Sequence, residues 1–467
     1  MNELAARSSA VSPSLLGLTR LDAGLTQAQA AERCGVTRSL YSKYELGVRP
    51  PPDDILERLT MVPAIQAPVV TAEVDGVDEP AGGDARAELR ASVLQHLRAQ
   101  GFKVSSAGVL GPVESDKNRI RDLHAESVSA QRARAHGSLH RHEDRFISRL
   151  ARGLDVAPSK IRPKLVLIKD RRSFDGLLWR WCSLHWSIPV SSGYGRRLRF
   201  LVVDEAHNDA VMGLIGLGDP VFALRCRDAA IGWEAQWRRQ RLACVMDAFV
   251  LGAVPPYTDL LGGKLMALLA GSHEVQNAFA ERYGHKTTLI AQRDPDARLA
   301  LITTSSALGR SSVYNRLVRS DGSLAMEPVG YTQGTGDFHF SGAIYERLAE
   351  FAAHVDPSRG SHRHQRWGTS GFRNRREVLQ VSLEALGLDS RALRSHGVQR
   401  QVFLTRLASD TDDYLCGRTD HLTPRTAGVD EIADWWRRRW AVPRSGRSLS
   451  WLNAEPELWR LFGDSQD

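Results

Sequence analysis

Apolar residues recur along this chain in two rhythms, and the change between them divides it. Over residues 13–62 they come at helical spacing, in short bursts broken by glycine. Gly24-Leu25-Thr26-Gln27-Ala28-Gln29-Ala30-Ala31 opens one helix with Thr26 as its cap. Gly35 ends it, since a tight turn needs a residue tolerant of positive φ, and Val36 points inward. Thr37 caps a second helix, Arg38–Glu45, which Gly47 stops; Arg49-Pro50-Pro51 leads to a third at 55–59. Ala31, Val36, Leu40 and Tyr44 fall on the inner side, so the pattern predicts a helix-turn-helix. Residues 63–84 lose the rhythm. Pro63, Pro68, Pro80, Gly82 and Gly83 stand there among small and acidic residues, as in a linker.

Residues 85–160 return to helical spacing. Leu89, Val93, Leu94 and Leu97 line one face of a helix over 85–100, and further helices are predicted over 117–136 and 145–154. From 161 to 356 strands and helices alternate. Strands are expected at 165–168, 198–203, 210–217, 244–254 and 299–304, and helices at 174–186, 263–270 and 311–317. The polar stretch 204–209 reads as the turn of a hairpin. The nearly continuous apolar run 244–254 suits a central strand, and a glycine-studded strand closes the region near 327–340. The fold class is therefore α/β (α+β): an all-α domain, a mixed-sheet core, and a basic, mostly helical region over 357–467.

Charge sharpens this division. Lys and Arg exceed Asp and Glu by eight, and most of the excess is local. Residues 359–401 carry nine arginines against Glu377, Glu384 and Asp389, a net of six positive charges. Arg363, Arg366, Arg373, Arg375 and Arg376, with Trp367 and Phe372 among them, suit a nucleic-acid backbone and base stacking; a solvated helical surface is the alternative. In Trp435-Trp436-Arg437-Arg438-Arg439-Trp440, Trp436 and Trp440 share a helical face and are expected to pack inward. The five cysteines are scattered, without a paired motif, which points to a reducing cytoplasm. No stretch is long and apolar enough to span a bilayer, and residues 1–14 lack the core of a signal peptide.

Other candidate chemistry is thinner. His136, His140 and His142, and the pair His362 and His364, are flanked by arginines that repel a cation, so no metal is expected. Asp204-Glu205-Ala206-His207 shares the letters of a helicase box, but no phosphate-binding loop precedes it. Asp219, Arg225, Arg227, Asp228, Trp233 and Glu234 either line a cleft or form an ion-pair network. Gly262, Gly263 and Lys264 open a helix after a Pro-Pro strand end, where free N–H groups suit a phosphate.

Three resemblances add to this reading. The stretch GLTQAQAAERCGVTRSLYSKYELGVRPP resembles the Cro/lambda-repressor (XRE) family along its whole length. It implies that Arg38–Glu45 lies in the major groove of double-stranded DNA. Thr37, Arg38, Ser39 and Ser42 would read bases, Lys43 would sit nearer the backbone, Gln27 would reach in from the preceding helix, and Glu45 and Gly47 would be structural. Such modules usually act as homodimers, although no dimerisation coil is evident; a helical protein–protein module is the alternative.

The order strand, Pro-Pro, glycine loop, helix, strand, helix resembles the GNAT acyltransferases. That likeness implies a GNAT-like core with acyl-coenzyme A at Gly262, Gly263 and Lys264, and Tyr314 as the acid that protonates the leaving thiolate. Asp259 and the missing basic residue of the loop depart from that family.

Longer motifs, among them GLGDPVFALRCRDAAIGWEAQWRRQRL, LITTSSALGRSSVYNRL and VGYTQGTGDFHFSGAIY, resemble the DruA family of the bacterial Druantia anti-phage defence systems over roughly 87–445. This implies a role in phage resistance beside a helicase and other proteins of the system, without supplying a mechanism. Three readings of the core stay open: a nucleic-acid-binding or assembly module, an acyl-transferring enzyme, or the ligand-sensing part of a transcriptional regulator.

Overall fold

The computed structural model describes residues 16, 20, 27–45, 55, 82–105, 110–111, 116–190, 195–285, 294, 296–367, 374–425 and 427–463. The chain divides into two compact units, Met1–Glu79 and Pro80–Asp467.

In the first unit, helices α1 (Gln27–Arg33) and α2 (Arg38–Glu45) flank Gly35, whose φ of +69° makes the turn. Thr37 Oγ1 accepts the Leu40 N–H at 3.3 Å and caps α2. Leu16, Ala30, Ala31, Cys34, Tyr41, Tyr44 and Ile55 form the core, with Val36 and Leu40 packed on its edge. The predicted third helix and Gly47 lie outside the described residues, apart from buried Ile55.

The second unit is built on a seven-stranded sheet: β1 (Pro163–Leu167), β2 (Arg197–Asp204), β3 (Ala210–Gly218), β4 (Val245–Ala253), β5 (Leu301–Ser305), β6 (Glu327–Tyr331) and β7 (Gln401–Arg406). Its spatial order is β1-β2-β3-β4-β5-β7-β6, antiparallel except for the parallel β4–β5 pair. The β2–β3 hairpin turns at 205–209 as the pattern predicts. All nine residues of β3 are buried and none carries a polar side chain, because both faces of this strand are covered. One face packs Leu198, Met212, Ile215 and Met246 against Leu265, Met266 and Trp436. The other packs Leu201, Val211 and Val250 against Phe146, Trp179 and Trp181.

A separate helical cluster joins distant parts of the chain. Helices α3 (Gly82–Ala99) and α4 (Lys117–Leu139) bury Leu89, Val93, Leu97, Ile120 and Leu123 together with Phe340, Leu348, Leu379, Leu383 and Leu393. The later residues come from helices Ala343–Val355, Asn374–Ala385 and Ser390–Leu393 and from the loop that carries Phe340.

Three expectations need correction. Residues 311–317 form turns and no helix. Ser311 Oγ accepts the N–H groups of Val313 and Tyr314, and Arg316 takes φ +63°, so local side-chain bonds and a left-handed residue replace the helical ladder. The segment 145–154 is α-helical only up to Ile147 and ends in a 3-10 turn, Gly153–Asp155. The glycine-studded strand is only β6; the rest of that stretch is loop. Strand β7, drawn from the basic region, is inserted between β5 and β6 of the core sheet.

Candidate nucleic-acid interface

In the helix-turn-helix, Thr37 and Lys43 are exposed and Ser42 is half-buried; Arg38 and Ser39 form the first turn of α2. Glu45 ties the ends of the motif together. It accepts the Arg20 Nε–H at 2.5 Å and the Gln27 amide at 2.6 Å. The Gln27 side chain is thus engaged with α2.

In the sheet unit, β4 and β5 are paired only from Val245–Leu301 to Ala248–Thr304, and each then pairs on its other side alone. The helix over Gly262–Leu269 begins after this point, with Leu261 at φ +62° and the Gly262 N–H bound to the Tyr257 carbonyl at 2.8 Å. Gly263 packs beside Val313. Lys264 Nζ donates to the Val313 carbonyl at 3.1 Å and lies 5.6 Å from the centre of the Trp440 ring. Burial holds its ammonium below the usual lysine range. Tyr314 sits edge-on to Phe403 at 5.4 Å, and burial pushes its phenol up to about 12.

Of the basic candidates, Arg363, Arg366 and Arg376 are exposed, whereas Arg373 lies outside the described residues. Arg375 is an anchor. It donates to the carbonyls of Asp337 and Phe340, pairs with the Asp337 carboxylate at 3.6 Å, and stacks 4.0 Å from the Tyr345 ring centre.

The polar group near residue 225 is an ion-pair network. Arg227 is fully buried, bonded to Asp228 at 2.8 Å and to the carbonyls of Val221 and Phe222. Asp228 also takes Arg238 at 3.0 Å. Asp204 and His207 are equally structural. The Asp204 carboxylate accepts from Tyr257, His207 and two backbone N–H groups, so it fixes the hairpin. Trp436 is fully buried and donates to the Leu261 carbonyl. His136 and His140 stack on one another.

Sequence reasoning missed a histidine–arginine centre. Segments 332–336 and 394–400 are laced together by Thr332 N–Arg400 O, Gly336 N–Arg394 O and Gly397 N–Gly334 O bonds of 2.9 Å each. Gly334 has φ +71°, and a Cβ there would meet the Gly397 backbone at 2.6 Å, so only glycine allows this approach. The lacing brings His339, His396 and Arg400 against His124 of α4. The His124 ring lies 3.8 Å from that of Phe338, and its Nε2 meets Arg400 Nη2 at 3.0 Å. All three histidines are almost wholly buried. Burial, then the Arg400 charge, lowers His124 to about 3 and His396 to about 4; burial and the neighbouring His396 lower His339 to about 3. The available signal was the unusual motif VGYTQGTGDFHF, but nothing in the spacing linked it to residue 124 or 400.

Comparison with known proteins bears on this arrangement. The family profile described as Druantia protein DruA matches residues 114–417, and one described as a helix-turn-helix domain matches 14–62. The curated Druantia protein DruA of Escherichia coli (strain UMEA 4076-1) is 40% identical over 376 residues, which covers 80% of this chain and 90% of the relative. The chain belongs to the DruA family. Its DruA-matched span takes in the whole sheet and all four residues of the histidine–arginine centre, while the helix-turn-helix lies before it. No solved structure matches the chain. Among the described residues, no helix of this DruA-family protein is long and apolar enough to cross a membrane.

Proposed function

We propose that this DruA-family chain is a DNA-binding protein of cytoplasmic anti-phage defence, acting beside other Druantia proteins, a helicase among them. The helix-turn-helix reads double-stranded DNA through Thr37, Arg38, Ser39 and Ser42, with Lys43 and Gln27 supporting. The sheet unit is a second nucleic-acid-binding module. The observation that carries this reading is the pairing of a capped recognition helix in one unit with exposed Arg363, Arg366 and Arg376 in the other. The test uses the full chain. Thr37→Ala with Lys43→Ala should weaken specific duplex binding. Arg363→Ala, Arg366→Ala and Arg376→Ala together should weaken binding to any sequence and flatten its salt dependence by up to about 0.9 per lost phosphate contact. A triple variant with an unchanged salt slope would remove the sheet unit from the interface.

A second reading is acyl transfer on a GNAT-like core. It is supported by the parallel β4–β5 pair that ends at Ala248 and Thr304, beside the Gly262–Gly263 helix start. The engagement of Lys264 with Val313 and the packing of Tyr314 on Phe403 weigh against it. Acetyl-coenzyme A at 100 times its dissociation constant adds about 2.7 kcal/mol to a protein that binds it. A raised unfolding midpoint that Tyr314→Phe leaves in place, with transfer activity that it removes, would establish this reading instead.

A further inference from the structure

Arg400 is a half-buried guanidinium that no acid among the described residues meets. Its backbone is bonded on both sides to Thr332, so the residue is held in position. Among the described residues its side chain makes one hydrogen bond, from Nη2 to His124 Nε2 at 3.0 Å, and meets no carboxylate. Arginine has five N–H donors and no acceptor, so four remain unused. The same bond settles the state of His124. Because arginine only donates, Nε2 of His124 accepts, and the ring proton sits on Nδ1. That Nδ1 is buried and has no partner among the described residues. Two adjacent side chains therefore present donors alone, one of them charged. A half-buried cation that no carboxylate neutralises, with donors still open to solvent, is suited to an anion that can take two of those donors at once.

The neighbourhood favours a strand over an isolated ion. One turn before His124, on the same side of α4, stands Arg121, at the start of a groove of about 340 Å³. Arg121, Ser129, Arg132, His185, Trp186 and Ser187 line it. From Arg121 to Arg132 the helix rises ~16 Å, room for two to three nucleotides of an extended single strand. Arg132 is aimed by its bond to the Leu184 carbonyl at 3.0 Å. Trp186 is seated against Gly252, where a Cβ would come within 2.2 Å of the indole. Cations interleaved with an aromatic ring are the features that a single strand uses, phosphate to arginine and base to ring.

We propose that Arg400 binds one backbone phosphate of a single nucleic-acid strand that runs along α4, with neutral His124 as the positioning residue that holds the guanidinium. This rests on the nucleic-acid reading of the sheet unit and names its ligand class.

The test is binding of a labelled oligothymidylate to the full chain by fluorescence anisotropy across 50–300 mM salt, with unfolding midpoints in parallel. Arg400→Met should weaken binding about tenfold at 0.1 M salt and reduce the log–log salt slope by about 0.7, the single-strand value for one phosphate. Its unfolding midpoint should stay nearly level, since the half-buried guanidinium gives the fold one side-chain hydrogen bond. Arg400→Lys should keep the slope and lose only about threefold, because the charge remains and the fork is lost. Native-like affinity and slope in Arg400→Met, while the wild type binds, would overturn this inference alone; a wild type that binds no oligothymidylate would overturn the nucleic-acid reading of the unit as well. A midpoint lowered by many degrees in both variants would make Arg400 structural. Inorganic phosphate that raises the wild-type midpoint but not that of Arg400→Met, with unchanged oligothymidylate affinity, would assign the site to free phosphate and refute the strand.

Discussion

The buried histidines make the sheet unit sensitive to mild acid, by an amount that the structure sets. His124 and His339 are held near 3 and His396 near 4, against an ordinary value of 6.5. The direction follows from linkage. Between about pH 6.5 and 4 the unfolded chain binds protons at these positions and the folded chain does not, so stability falls as pH falls. At pH 5.5 each unfolded histidine gains about 1.4 kcal/mol from protonation, and three together cost the fold about 4 kcal/mol relative to pH 8. For a unit approaching 400 residues, at about 2 cal/mol/K per residue, that lowers the unfolding midpoint by about 5 °C. The carboxylates whose pKa is lowered, such as Asp356 and Asp389, lose their contribution only below their unfolded values near 4, outside the window from 6.5 to 5; burial also lowers His185 and raises Asp247, so the difference made by a single histidine variant, and not the total, assigns the effect. Differential scanning calorimetry at pH 8.0, 6.5 and 5.5 measures the effect. His339→Gln, whose amide can still donate to the Leu393 carbonyl that His339 Nε2 now contacts at 2.8 Å, should remove about a third of the loss. A midpoint flat from pH 8 to 5.5, or a loss that His339→Gln leaves intact, would refute the reasoning.

Other outcomes follow from single contacts. Glu143→Ala strands the Trp181 indole and the Leu461 and Phe462 N–H groups, so urea unfolding should show a loss of about 3 kcal/mol, with protease release of the segment after residue 455. Glu45→Ala leaves Gln27 and Arg20 without this shared acceptor, so it should disorder the α1–α2 angle and abolish specific duplex binding in footprinting, while binding of oligothymidylate persists. Arg227→Met removes the donors that hold the Val221 and Phe222 carbonyls, and hydrogen exchange should speed up in residues 219–224.

Much of the architecture was legible in the pattern of side chains. Helix periodicity with a glycine and a threonine cap is a local signal, and it located α1, the turn and α2. The strand over 210–218 was visible because burial on both faces demands an unbroken apolar run, and those over 197–204 and 245–253 because their runs are broken only by Arg199 and Asp247 between polar or turn-forming ends. The segment 311–317 misled because its apolar spacing is helical, while Ser311 and Arg316 impose turns through bonds that spacing does not encode.

By itself the sequence determined the helix-turn-helix, the alternation that makes the second unit mixed, and the concentration of arginines over 359–401, since each depends on neighbours in the chain. Only the tertiary structure decided which polar residues meet. It placed β7 between β5 and β6, divided the arginines into the Arg375 anchor and an exposed set, and turned Arg227 inward to hold a loop. It also set Arg400 against His124 across 276 residues of chain. The physical reason is range. Propensity and periodicity act over a few residues, whereas the role of a cation is identified only by the partners that the completed fold gives it.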